Sequence, residues 1–98
     1  MKAYVYDIFE KEVSPDAKWE RQKNVFDWEF RFYPAVDAVL SVLEASQTHM
    51  SLPTECREKV LMGLLHELND MGTIRIYDGI GKRWFEIVRL ESTATEED

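Results

Sequence analysis

The sequence predicts an α+β domain: a small antiparallel sheet with two helices packed on one face, in the order β-β-α-α-β-β. Three observations point to it. Phe26, Trp28, Phe30 and Phe32 recur at every second position, with Asp27, Glu29 and Arg31 between them. That is the period of a strand with one face on a core and one in water. After Pro34 the apolar residues change to helical spacing, and the pattern resumes after Ser51. After Gly72, two runs rich in β-formers flank the loop Asp78, Gly79, Ile80, Gly81, Lys82, which predicts a hairpin.

Taken in order, residues 2–9 (KAYVYDIF) are rich in β-formers and predict the first strand. Residues 10–24 are polar, with a turn signal at Ser14, Pro15 and Asp16 and a conspicuous Trp19. Residues 25–33 are the aromatic strand, expected to pair antiparallel with the first. Pro34 suits the first turn of a helix, where no backbone N–H is needed. Val36, Val39, Leu40 and Leu43 then form one stripe over residues 34–45, and Asp37 lies where a carboxylate suits the helix dipole. Residues 45–50 connect to the second helix. Ser51 is its expected N-cap, and Pro53 falls in its first turn. Val60, Leu61, Leu64, Leu65, Leu68 and Met71 are its buried stripe, and Gly72 is its left-handed stop. Gly63 costs about 1 kcal/mol against alanine in mid-helix, and either admits a close backbone approach or is simply tolerated.

Residues 73–77 and 83–90 are the closing strands. In the last one, Phe85 and Ile87 share a face with Arg83 and Arg89, while Trp84, Val88 and Leu90 share the other with Glu86. Apolar groups on both faces predict cover on both sides. Residues 1–90 are expected to form one domain. Residues 91–98 carry four carboxylates and nothing apolar larger than alanine, the composition of a disordered tail.

The chain of 98 residues, 45% of them apolar, can bury a core without disulfides or metal. Cys56 stands alone, which fits a reducing cytoplasm. No apolar run approaches the roughly 20 residues of a membrane span, and the N-terminus has no long apolar stretch to predict a secretory leader. The net charge of −7 is unevenly spread. Residues 1–34 hold six Lys/Arg against seven Asp/Glu, giving −1, and residues 35–72 hold two against six, giving −4. Residues 73–90 hold four against two, giving +2, and residues 91–98 hold none against four, giving −4. Acidic helices therefore precede a basic hairpin.

No phosphate loop, dinucleotide fingerprint or nucleophile elbow occurs. His66 and Asp70 sit four apart, a faint resemblance to a zinc-binding HExxH helix, but no third ligand accompanies them. Cys56 reads as a small, partly buried residue. No catalytic, cofactor-binding or metal-ligating residue is assigned, and the expected function is that of a non-enzymatic protein-binding module.

On that reading Asp37, Glu44, Glu55, Glu58, Glu67 and Asp70 form an acidic surface for a partner protein with a basic surface. Trp19 is expected to fold back onto the sheet, as large aromatics are mostly buried, or else to serve as an interface anchor. The type is that of a small phage inhibitor whose acidic helices occupy a basic nucleic-acid-binding groove. One alternative comes from residues 51–90, where helix 51–71 and hairpin 73–90 resemble the back half of a winged-helix domain. That resemblance implies phosphate contacts from Arg75, Lys82 and Arg83. Two features count against it: a winged helix generally has three helices before its wing, and the carboxylates of this helix repel DNA. A second alternative is a homodimeric adaptor paired through the edge of the aromatic strand or the first hairpin.

Overall fold

The computed structural model describes residues 4–21 and 33–90. Its elements are β1 (Tyr6–Glu12), β2 (Glu20–Arg21), α1 (Ala35–Ala45), α2 (Gln47–Met50), α3 (Thr54–Met71), β3 (Thr73–Asp78) and β4 (Arg83–Arg89). Among the described residues the sheet has four strands in the order β2-β1-β4-β3, and every neighbouring pair is antiparallel. The predicted α+β class holds. The aromatic row Phe26, Trp28, Phe30 and Phe32 and the tail 91–98 lie outside the described residues. Of the predicted second strand only Tyr33 is described. It exchanges two backbone hydrogen bonds with Tyr6, at 2.8 and 3.0 Å.

β1 starts and ends later than its composition predicts. The ladder with β4 runs from Tyr6 opposite Arg89 to Glu12 opposite Arg83, so pairing draws the polar Glu10, Lys11 and Glu12 into the strand. Here strand partners override local propensity. The turn at Ser14 forms as expected, with the Ala17 N–H donating to the Ser14 carbonyl at 3.1 Å.

The sheet has two distinct faces. Tyr6, Ile8, Ile74, Phe85 and Ile87 point to the helical side and are at most 4% exposed. Ala38, Val39, Val42 and Leu43 of α1 and Leu68 of α3 close this core from above. Each large side chain buried there contributes about 1.5–3 kcal/mol. On the opposite face Trp84, Glu86 and Val88 are only half-buried. The Tyr77 ring lies 5.0 Å from that of Trp84. Cover on this second side is therefore partial.

Both helices are rotated or trimmed relative to the sequence pattern. In α1 the buried set is Ala38, Val39, Val42 and Leu43, whereas Val36 is 47% and Leu40 36% exposed. Both sets obey helical spacing. The sheet below selects the one that starts from the small Ala38, which lets the helix lie close. In α3 Leu68 is fully buried, Val60, Leu61, Leu64 and Leu65 pack partly against the core, and Met71 is 68% exposed at the last turn. Pro34 and Pro53 precede their helices as N-caps without side-chain capping bonds. Ser51 closes α2 instead of opening α3. The connection between the long helices contains the single turn α2, whose His49 N–H is capped by Ser46 Oγ at 3.1 Å. Gly72 has φ 83°, the left-handed stop expected of it.

Arg89 then ties this corner together. Its guanidinium donates to the carbonyls of Leu68 (3.3 Å) and Asn69 (3.0 Å) and to the Tyr6 hydroxyl. A cation at a helix C-terminus meets carbonyls that have no partner within the helix.

A Cβ placed on Gly63 would meet nothing within 4 Å, so no backbone approach requires this glycine. Gly63→Ala is expected to stabilise the protein by about 0.5–1 kcal/mol through helix propensity. Urea unfolding measures this, as a higher midpoint at unchanged slope.

Candidate functional site

The acidic residues singled out from the sequence are all exposed on the helical layer. Asp37 and Glu44 stand on α1, and Glu55, Glu58, Glu67 and Asp70 stand on α3. Among the described residues, Asp70 alone of the six has an ionic partner, His66, with Nε2 and Oδ2 3.7 Å apart. On α3, Glu55, Glu58, Lys59 and Met62 line a shallow hollow of about 520 Å³. Met62 is 65% exposed and supplies an apolar floor between charges.

The cations behave differently, because most are engaged within the fold. Arg21 Nε donates to the buried Asp7 carboxylate at 2.7 Å. Arg75 Nε donates to Glu86 at 3.0 Å. Arg83 donates to Glu10 (3.3 Å) and to the Ala45 carbonyl (2.9 Å), and its Nε lies 3.9 Å from Asp78. The pairing register also puts Arg75 and Arg83 on opposite faces of the sheet. Of the three cations assigned to phosphate contact, Lys82 alone stands exposed without an ion pair among the described residues.

Trp19 is half-buried over the face of the sheet away from the helices. Its ring lies between Lys11 Nζ, 5.2 Å away on β1, and the Arg75 guanidinium, 5.0 Å away on β3. Cation–π contacts thus hold the polar arm down across β4. His66 and Asp70 share one exposed helix face, as their spacing predicts. No group of three or more His, Cys, Asp or Glu that could hold a metal occurs among the described residues. Cys56 is exposed rather than partly buried, because it falls on the outward face of α3. No helix among the described residues is long and apolar enough to cross a membrane.

The joint between the helices and the hairpin is Asp78, whose importance the sequence pattern did not reveal. Its side chain is fully buried. Oδ1 accepts from the Thr48 N–H (3.1 Å), the Thr48 hydroxyl (2.8 Å) and the Gly81 N–H (3.0 Å), and Oδ2 accepts from the Gln47 N–H (3.1 Å). The Thr48 hydroxyl oxygen in turn accepts the Ile80 N–H at 2.9 Å. A Cβ on Gly81 would overlap Asp78 Oδ2, so glycine is required there. The hairpin itself was legible from the two glycines of its loop. The reach of Asp78 to α2 was not.

Beside this joint an open cleft of about 590 Å³ lies between the end of β1 and the hairpin loop. Glu10 and Arg83, paired with each other, form part of its wall, and Lys11, Glu12 and Lys82 complete a rim of mixed charge.

Comparison of the chain with protein-family models, with curated proteins and with solved structures returned no match.

Burial alone would raise the Asp78 pKa, but its hydrogen bonds from Gly81, Thr48 and Gln47 outweigh that and hold it at about 2. The His49 pKa is lowered from 6.5, first by burial and then by the nearby Arg57 charge. Both folded-state values lie below the unfolded ones, so each group adds stability above its unfolded pKa and loses it as pH falls. Unfolding free energy is expected to decline first below the unfolded His49 value of 6.5. It declines again from 3.8 towards 2 as Asp78 protonates. Denaturant titrations across pH check this. Asp78→Asn should lower stability by about 1–3 kcal/mol at neutral pH and flatten the second decline while leaving the first.

Proposed function

We propose that this protein is a non-enzymatic binding module whose acidic helical face docks on a basic surface of a partner protein. The observation that carries this reading is the separation of charge. Arg21, Arg75 and Arg83 are consumed in internal ion pairs, whereas Asp37, Glu44, Glu55, Glu58 and Glu67 make none among the described residues. Over residues 35–72 six carboxylates face two cations, a net of −4. An unpaired surface of one sign accelerates encounter with the opposite sign and repels the same sign. It suits the basic groove of a nucleic-acid-handling protein, where carboxylates take the place of phosphates. This is the action of a small inhibitor of the phage type.

The winged-helix-like alternative draws some support from α2, a third helical segment ahead of the hairpin. It is weaker in its phosphate contacts, because Arg75 and Arg83 would have to leave carboxylates of their own chain. It is weaker also in α3, whose exposed face carries four carboxylates that duplex DNA repels.

The deciding experiment is capture from nuclease-treated lysate over a range of salt, comparing the native chain with Asp37→Asn, Glu44→Gln, Glu55→Gln, Glu58→Gln, Glu67→Gln and Asp70→Asn combined. A partner protein held at low salt by the native chain and released by the combined variant is expected. Equal retention of that partner by the variant would sink the acidic-face reading. Recovery of nucleic acid by the native chain, with proteins lost after nuclease, would put the alternative in its place.

A further inference from the structure

We propose that the free edge of β3 is a docking strand, to which an extended basic segment of the partner adds by main-chain pairing. The existence of the edge is independent of the acidic-face reading, and the choice of a basic segment rests on it.

The phase of the ladder identifies which backbone groups are free. The Arg89 N–H donates to the Gly72 carbonyl at 2.8 Å, which makes that pair a hydrogen-bonded one. Hydrogen-bonded pairs alternate along an antiparallel ladder. Ile74, Ile76 and Asp78 therefore direct their N–H and C=O groups at β4, through Ile87, Phe85 and Arg83. Thr73, Arg75 and Tyr77 direct theirs away from the sheet. Among the described residues β3 is the last strand on this side, and no backbone partner for Thr73, Arg75 or Tyr77 occurs.

On the other side of the sheet, by contrast, several outward positions of β1 have partners. Beyond β1, Tyr6 pairs with Tyr33, and Glu10 lies opposite Glu20 of β2. Between them the Ile8 N–H is taken by the carboxylate of its own neighbour Asp7 at 2.9 Å.

The β3 edge is only partly protected, since its one inward charge, Asp78, stands at the last residue of the strand. It contains no proline, and its one cation, Arg75, is tied to Glu86 of the neighbouring strand. Apolar surface surrounds it: Met71 just before the strand is 68% exposed, Tyr77 within it 50%, and Ile80 just after it 56%. An added strand would draw affinity from main-chain bonds and selectivity from alternate side chains.

Charge decides the occupant. The long helix that packs on β3, beside the single turn α2, is α3, which exposes Glu55, Glu58, Glu67 and Asp70. A second copy added antiparallel at this edge, in one continuous sheet, would set two such helices side by side, and like charge opposes that arrangement. A strand bearing lysine or arginine meets the opposite field.

The test uses the full chain, NMR-detected amide exchange, and a capped eight-residue probe peptide of alternating lysine and valine. In the free protein Thr73, Arg75 and Tyr77 should exchange faster than Ile74, Ile76 and Asp78. With the peptide those three should slow by roughly tenfold or more. Arg75→Pro removes one outward donor without touching the β4 ladder. It should abolish the peptide's protection of Thr73 and Tyr77 while Ile74 and Ile76 stay protected. Arg75→Ala, which keeps the donor, should retain the effect. Peptide binding that shifts helix amides and leaves the three edge amides unprotected overturns the edge proposal and spares the acidic-face reading. Equal protection by a peptide of alternating glutamate and valine overturns the basic segment and that reading's electrostatics, with the edge retained. Protection that grows with protein concentration alone, with a doubled sedimenting mass, overturns the partner segment in favour of a second copy.

Discussion

The buried carboxylate of Asp78 is the constraint on which the rest of the molecule depends. A carboxylate removed from water needs several donors, and here they come from two separate parts of the chain. Gln47 and Thr48 supply them from α2, and Gly81 supplies one from the hairpin loop. Satisfying one side chain therefore fixes the helical layer against the end of the sheet. It also dictates composition nearby: residue 81 must be glycine, and position 48 must carry a hydroxyl that accepts from Ile80 while donating to Asp78. Arg83 completes the joint by reaching the Ala45 carbonyl at the end of α1.

At the other end of the core Arg89 does the complementary task, taking the last carbonyls of α3 and the Tyr6 hydroxyl. Both joints use arginine or aspartate of the hairpin to satisfy backbone ends of the helices. The consequence reaches the surface. Cations spent on internal carbonyls and carboxylates do not neutralise the outer helical face, so the acidity of residues 35–72 stays unpaired there. Internal architecture and surface charge are in this sense one arrangement.

The same economy governs the sheet. β4 is central and pairs on both sides, and Phe85 and Ile87 on its helical face are fully buried beneath α1 and α3. Trp19 lies across the opposite face between Lys11 and Arg75 and covers it only in part. That a large aromatic in a polar arm returns to the sheet was legible, but its partners Lys11 and Arg75 were not, because they depend on β1 and β3 lying on either side of β4.

Local pattern sufficed for the elements themselves. Helical spacing after Pro34, the left-handed Gly72 and the glycine-bearing hairpin are set by interactions within a few residues, and with the α+β class they were legible in the chain, whereas β2 at Glu20–Arg21 and the turn α2 were not. The exposure of Glu55 and Asp70 was legible too, since both fall opposite the apolar stripe of α3, whereas Glu58 and Glu67 flank it. Tertiary structure alone decided the rest. Two apolar stripes of α1 obey the same period, and only the position of the sheet buries Val42 and exposes Leu40. Propensity placed the first strand too early, and only the register with β4 drew Glu12 into it. Whether Arg75 and Arg83 are available cations or internal partners turns on strand register, which sets Glu86 opposite Arg75 in the hairpin and brings Glu10 of the distant β1 to Arg83. Periodicity is a property of one segment, whereas burial, pairing and charge compensation are properties of two segments brought together.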